Sequence, residues 1–344
     1  MLVLGIESSC DECAAALVSD GTQIVSEVVA TQIAKHRPYM GVVPELASRL
    51  HVELISDVVA NCLLKGGISK HDIDAVAVTS KPGLVGSLIV GVNFAKAYAY
   101  AAGKPLISVD HILAHLYASQ MVERLDYPYL GVLVSGGHTL ISVVRDFNDI
   151  EILGSSIDDA IGEVYDKVAK FYDIGYPGGV VIDRKSAEGD PNAFAFPFPK
   201  LDPKLYRKYD MSFSGLKSAV INQKGKFLKA GAQDTIVNLC ASFQKAIIGI
   251  IFDKIRIAIS ETSIPRVCVG GGVAANSLLR NSVLSLRNEG VHVSIPPIRY
   301  CTDNAAMVAG IGSEYYSKGL FADMSLSPEP RVDRFKGFIR KQSN

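Results

Sequence analysis

The feature that most restricts how this chain can fold is that its pattern runs through the same order twice. Leu2–Ile6, Ala14–Val18 and Gln23–Val29 are short apolar runs divided by polar turns, among them Asp20-Gly21, and that spacing predicts a strand meander. A helical pattern from about Pro44 to Leu64 follows, then a strand at Ala75–Thr79, a helix over about Val85–Ala102 and a strand at Leu106–Val109. The order then restarts. Leu130–Ser135, Thr139–Val144 and Glu151–Gly154 form a second candidate meander, with Asp158–Tyr172 as the helix after it. A long helix over about Thr235–Ser260, a strand at Val267–Val269, a helix over Ala274–Asn288, a strand at Val291–Ile295 and a helix from about Asn304 to Ser317 complete the pattern. Such repetition implies an internal duplication, and a meander followed by alternating helices and strands places each copy in the α/β class. The expectation is two ribonuclease-H-like lobes facing a cleft of the kind that binds nucleotides. One spans about 1–128, with the helix region about 300–328 returning to it; the other spans 129–299. Gly175–Ser212, rich in Pro, Lys, Asp and Tyr and without clear period, reads as a long surface excursion, a type of loop often used as a lid.

A length of 344 residues agrees with two lobes, since domains average roughly 150 residues. Lys+Arg and Asp+Glu balance at 35 each. That balance argues against a protein that grips nucleic acid alone through a large basic surface, so action on nucleic acid would draw on partners. The N-terminus, Met1-Leu-Val-Leu-Gly-Ile-Glu, lacks the basic start and apolar core of a signal peptide, and no run reads as apolar enough to span a bilayer. The six cysteines are scattered, which fits reduced thiols and a cytoplasmic location. Cys10 and Cys13 have the spacing of a redox or zinc knuckle, but no second pair accompanies them, and two small residues flanking a turn is the favoured reading.

His111-Ile-Leu-Ala-His115 places two imidazoles on one helix face, just past the end of a strand. A metal site is favoured over two buried or surface histidines. In a zinc protease helix the residue after the first His is a Glu that activates water; here it is Ile112, so a peptidase loses its base. Two His plus one carboxylate suits non-haem Fe(II), and zinc accepts the same ligands. Asp303 is the favoured carboxylate, with an ordinary helix N-cap as its alternative.

Val134-Ser135-Gly136-Gly137-His138 is equally an anion cradle and a tight hairpin, with His138 a possible added donor. Gly270-Gly271-Gly272-Val-Ala-Ala-Asn276 follows a strand and opens a helix, where amide donors and the positive helix end suit a nucleotide. Asp159, Glu163 and Asp166 share a face of the expected helix; a solvated acidic face is the usual explanation, but Gly162 among them hints at close approach of a ligand. Asp183, after Tyr176-Pro-Gly-Gly179, is placed to hold a ribose hydroxyl. Glu7, Asp11 and Glu12 cluster in the first strand turn. Ser214 reads as an N-cap and Lys217 as a phosphate contact.

Taken in order, these segments resemble the tRNA threonylcarbamoyladenosine transferases, the family of bacterial TsaD and archaeal and eukaryotic Kae, once called O-sialoglycoprotein endopeptidases. The likeness runs from Gly5 to about Pro328 and is carried by Gly5–Glu12, Gly41–Arg49, Gly83–Gly86, His111 and His115, Leu133–Thr139, Ile157–Lys167, Ser212–Lys217, Gly270–Asn276 and Cys301–Met307. It implies two actin/sugar-kinase-like lobes and metal ligands at His111, His115 and Asp303. It also implies contacts to a nucleotide-linked substrate from Leu133, Val134, Ser135, Gly136 and Gly137 with Asp166, Gly179, Asp183 and Asn276. Asp11, beside Glu12, takes the place of the family's catalytically important acid. Cys13 departs from the Thr or Ser common after Asp-Glu, and Val180-Val181 from a Pro common after the Gly pair; neither removes a polar ligand. The implied reaction moves threonylcarbamoyl from threonylcarbamoyl-AMP to the tRNA adenosine beside the anticodon. The implied partners are an inactive TsaB-like paralogue, docking about Pro44–Leu64, and a small TsaE-like ATPase. A metallopeptidase and an ATP-binding switch or kinase of the actin-like class are the rivals.

Overall fold

Strands covered on both faces need apolar side chains on both, and the first two strands show it: Val3, Leu4 and Ile6, then Cys13 through Val18, are all buried. The computed structural model describes residues 1–222, 224–227 and 234–331. The chain runs β1 (Leu2–Glu7), β2 (Glu12–Ser19), β3 (Gln23–Thr31), α1 (Ile33–His36), α2 (Pro44–Gly66), β4 (Ala75–Lys81), α3 (Val85–Ala102), β5 (Leu106–Asp110) and α4 (His111–Tyr117). It continues through β6 (Tyr129–Val134), β7 (Thr139–Asp146), β8 (Asp149–Ser155), α5 (Ile161–Tyr172), α6 (Gly178–Ser186), α7 (Ser214–Asn222), α8 (Lys224–Phe227) and α9 (Asp234–Thr262). Last come β9 (Arg266–Gly270), α10 (Ser277–Ser285), β10 (His292–Ser294) and α11 (Ala305–Ser317).

Among the described residues two compact units result: Met1–Arg124 together with Pro296–Arg331, and Leu125–Ile295. The first holds a five-stranded sheet of order β3-β2-β1-β4-β5, the second one of order β10-β9-β6-β7-β8. Read from the meander edge, the second order is β8-β7-β6-β9-β10, the same topology as the first. The pairings match too, antiparallel within each meander and parallel beyond it. The duplication expected from the sequence is therefore present strand for strand.

In the first unit α11 lies directly against β1. A Cβ at Gly5 would come 2.4 Å from the Ala305 carbonyl oxygen and 2.6 Å from the Ala309 nitrogen, so only glycine lets the helix come so close. That contact brings the residues just before α11 alongside the β1–β2 turn. In the second unit, Gly162 plays the same part: a Cβ there would sit 2.8 Å from both Gly136 Cα and Ser135 O. The close approach inferred at Gly162 is thus made by the β6–β7 turn, and no ligand is needed to explain the glycine.

Other expectations need correction. Asp158 and Asp159 precede α5 and do not continue its face; Asp158 instead accepts hydrogen bonds from the backbone amides of Phe213 and Ser214 and both serine hydroxyls at Ser212 and Ser214, at the start of α7. The Gly175–Ser212 excursion contains α6, hidden by the four polar residues that follow Ile182. Helix Ala274–Asn288 is split into α10 flanked by two 3-10 turns. Thr235–Thr262 is long and apolar enough to cross a membrane, with a mean hydropathy of 1.6, contrary to the reading that no run is. Its apolar side is that of a core helix: Phe243, Ile247, Ile251 and Ile255 are fully buried.

Candidate active site

β5 ends in Asp110, whose carboxylate accepts from the backbone amides of Ile112 and Leu113 and so starts α4 at His111. The i, i+4 spacing turns both imidazoles to one side. Asp303 arrives from the turn before α11, where Asn304 is the N-cap and accepts from the Met307 amide. The N-cap alternative for Asp303 is thereby taken by its neighbour. His115 Nε2 lies 3.1 Å from His111 Nε2 and 3.0 Å from Asp303 Oδ1, and His111 Nε2 lies 3.4 Å from the same oxygen.

Three ligand atoms converging this closely are what one face of a metal coordination shell requires. Ligands at about 2.1 Å from an ion stand about 3.0 Å apart at right angles and about 3.4 Å apart in a tetrahedron. Without an ion or a proton between them, two imidazole lone pairs 3.1 Å apart repel. The residues therefore fit a divalent cation, and among the described residues they form a three-ligand group with all ligand atoms within 4.8 Å of one another.

Behind His111 stands a second layer. Its Nδ1 is 3.1 Å from Glu7 Oε2 and 3.2 Å from Ser9 Oγ, and Glu7 also accepts from Thr79 Oγ1 at 2.6 Å and from the Ser9 amide at 2.6 Å. With a cation held at the centre, Nδ1–H would be donated to Glu7 and the Nε2 lone pair would face the ion. Burial works against charge on every group here, but position outweighs it for three of them: His111 holds the Glu7 and Asp303 carboxyls below the ordinary range, and those carboxylates hold His111 well above its own. Burial and the neighbouring His111 push His115 down. Buried Glu7 and partly buried Asp303 carry two negative charges beside two imidazoles, a balance that a divalent cation would meet. His115 Nδ1 is buried without a partner among the described residues.

Burial, then the nearby Asp303 charge, raises the Asp11 carboxyl. Glu12 is pushed up by burial to about 7; its Oε1 accepts from Thr31 Oγ1 at 2.9 Å and its Oε2 is buried without a partner. Glu12 thus faces β3. Cys10 and Cys13 are free thiols, and Cys13 is fully buried in β2.

In the second unit the Leu133–Gly137 segment ends β6 and turns into β7, with the Ser135 amide bonded to the His138 carbonyl at 2.8 Å. It is a tight hairpin, and Gly136 and Gly137 are exposed at its tip with nothing within 4 Å of a Cβ at either. Asp166 Oδ1 accepts from the Gly178 amide at 2.6 Å, next to Gly179. Asp183 accepts from Gln244 Nε2, Asn276 Nδ2 and both the amide and hydroxyl of Ser277, while Asn276 Oδ1 caps α10 through the Leu279 amide. Lys217 pairs with Asp159, which lowers its value as a phosphate contact.

The match to known proteins covers nearly the whole chain. Residues 23–310 match the TsaD family model, described as tRNA N6-adenosine threonylcarbamoyltransferase. A protein of that description from Treponema denticola is 49% identical over 97% of this chain and 98% of its own length, and one from Borreliella burgdorferi is 45% identical over 100% and 98%. The chain belongs to this family. Solved structures share its fold at low identity: HypF from T. kodakarensis has a TM-score of 0.63 at 14% identity, covering 94% of this chain and 49% of that one. The (R)-2-hydroxyglutaryl-CoA dehydratase component A of Acidaminococcus fermentans has a TM-score of 0.55 at 14% identity, over 92% and 98%. Both share the α/β fold described above.

Family membership makes the protein a transferase, and the peptidase and switch alternatives fall with it; Ile112, where a protease would carry its base, is fully buried. The structure joins His111, His115 and Asp303 in the first unit and Asp183 with Asn276 in the second. Residues that sequence reasoning missed are Ser9, Thr79, Gln244 and Ser277. Gln244 is buried in α9 between polar Ser242 and Lys245, so its sequence surroundings give no signal; Ser9 lies within the Gly5–Glu12 motif, and Thr79 left none.

Proposed function

We propose that this threonylcarbamoyltransferase takes its acyl group from threonylcarbamoyl-AMP. The acceptor is N6 of the adenosine beside the anticodon in tRNAs that read A-starting codons, and AMP is released. What carries the reading is the closed His111–His115–Asp303 triangle with the Glu7 carboxylate behind it. One divalent metal, Fe(II) in preference to zinc, would be held there, and when bound it supplies Lewis-acid polarisation of the carbamoyl carbonyl.

The protein's own groups do the rest. Glu7 fixes the His111 tautomer. Asp11, its carboxyl raised by burial and by Asp303, is suited to take a proton from N6 as the new C–N bond forms and the phosphate oxygen leaves. Glu12 stands beside it and sets its surroundings. The nucleotide part of the donor is assigned to Leu133, Val134, Ser135, Gly136, Gly137, Asp166, Gly179, Asp183 and Asn276. Exposed amides at Gly136 and Gly137 suit phosphate, and the Asp183–Asn276 pair suits ribose hydroxyls.

A balanced net charge fits an enzyme that holds tRNA with help. We assign that help to a TsaB-like paralogue docking on α2, where Val52 and Leu64 are exposed, and to a TsaE-like ATPase, all in the cytoplasm. Purified protein with these partners, unmodified tRNA and threonylcarbamoyl-AMP should yield modified adenosine and AMP in equal amounts. Modification that needs a different donor, or AMP release without modified tRNA, contradicts the proposal.

A further inference from the structure

The loop Ser8–Asp11 between β1 and β2 carries Asp11 at one end and, through Ser9, touches the metal ligand His111 at the other. It contains none of the strand pairing that fixes its flanks, so its position depends on what grips it. From α3 and the turn before it, the Leu84 amide donates to the Ser9 carbonyl at 2.8 Å, and Ser8 Oγ donates to the Ser87 carbonyl at 3.1 Å. A Cβ on Gly83 would meet Ser9 O at 2.6 Å and one on Gly91 would meet Ser8 Oγ at 2.1 Å, so this grip is in direct contact. The Gln32 amide holds the Asp11 carbonyl at 3.1 Å.

That leaves Cys10, the residue next to Asp11. Its carbonyl accepts from His51 Nε2 at 2.8 Å. His51 lies two turns into α2, fully buried, reaching back 41 positions in sequence. Since a carbonyl only accepts, Nε2 carries the proton, and Nδ1 is then a bare acceptor, buried and without a partner among the described residues. A histidine kept for packing alone would leave two polar atoms to satisfy; this one gives up a partner at Nδ1 to make a single bond at the loop.

We propose that His51 is a positioning residue for the transfer reaction: its bond to the Cys10 carbonyl fixes the loop so that the Asp11 carboxylate is held where the acceptor amine reacts. The inference rests on the role given to Asp11 above, and loop mobility, read by hydrogen exchange, tests the grip separately from that role.

His51→Leu keeps the volume and loses the donor; His51→Gln keeps a donor at similar reach. In the full chain with its partners and tRNA, His51→Leu should raise amide exchange in the Glu7–Cys13 segment about tenfold, the scale of one lost hydrogen bond. It should lower kcat by about the same factor while leaving KM for tRNA within about twofold and metal content unchanged. His51→Gln should restore both to within about threefold. Faster exchange with unchanged kcat overturns the catalytic part, unchanged exchange overturns the grip, and a glutamine variant no better than leucine overturns the hydrogen bond as the cause. If His51→Leu does not fold, Gly83→Ala displaces the same loop from its other side. It must give the same paired change in exchange and kcat, and wild-type values for both would overturn the proposal.

Discussion

At the scale of single residues, the centre is set by groups whose charge is unfavourable alone and favourable together. His115→Ala removes one corner of the ligand triangle while leaving α4 intact. Metal bound at equilibrium should fall from one per chain to near zero, a loss of affinity of at least about 100-fold, measured by elemental analysis after dialysis against buffered metal. A variant that kept its full metal complement would show that the triangle is not the site. Glu12 offers a different test. Burial raises its carboxyl from an ordinary 4.5 to about 7, so between those values the folded state holds a proton that the unfolded chain has released. That contribution to stability is complete below about pH 4.5 and is lost as pH rises through about 7. Glu12→Gln does not titrate, so its stability relative to wild type should improve by about 1–3 kcal/mol between pH 5 and pH 8. Parallel urea titrations across that range measure it, and equal pH slopes would refute the buried proton.

At the scale of elements, the centre depends on how α11 begins. Asn304 caps that helix and follows Asp303 directly, so Asn304→Ala should cost about 1 kcal/mol of stability and also weaken metal binding, because Asp303 loses its fixed approach. Thermal unfolding with and without metal checks both; a destabilised variant that binds metal as before would separate the two. In the second unit, Gly162→Ala forces a methyl against the Ser135–Gly136 backbone. It should cost about 1–3 kcal/mol and raise KM for the adenylate donor with metal content unchanged, as steady-state kinetics would show.

Elements were largely readable in the sequence because local pattern decides them. Val85–Ala102 is a helix over the residues its pattern marked, and the two meanders lie where alternating apolar runs placed them. His111 and His115 were readable because their ligand spacing is local. What local pattern does not hold is closeness between distant segments. Asp303 stands 188 positions from His115, so spacing named it as a candidate but could not bring it beside the pair. Ser9 and Thr79 became visible only once β1 and β4 were paired, and Gly162 was read as a ligand contact because the β6–β7 turn that abuts it is remote in sequence. α6 was missed because its inward residues are few, Gly178 and Ile182 alone being buried.

At the scale of the whole molecule, one sheet topology occurs twice, and the proposed function gives the two copies different duties. The first holds the metal triangle and the Asp11 loop; the second holds the glycine turns and the Asp183–Asn276 pair. The central claim is that this chain performs threonylcarbamoyl transfer to tRNA through the His111–His115–Asp303 centre. Its most direct test is mass spectrometry of tRNA nucleosides from cells depleted of this protein and supplied with either the wild-type chain or His115→Ala. The account predicts loss of threonylcarbamoyladenosine on depletion, recovery with the wild-type chain and none with the variant; full recovery with His115→Ala would contradict it.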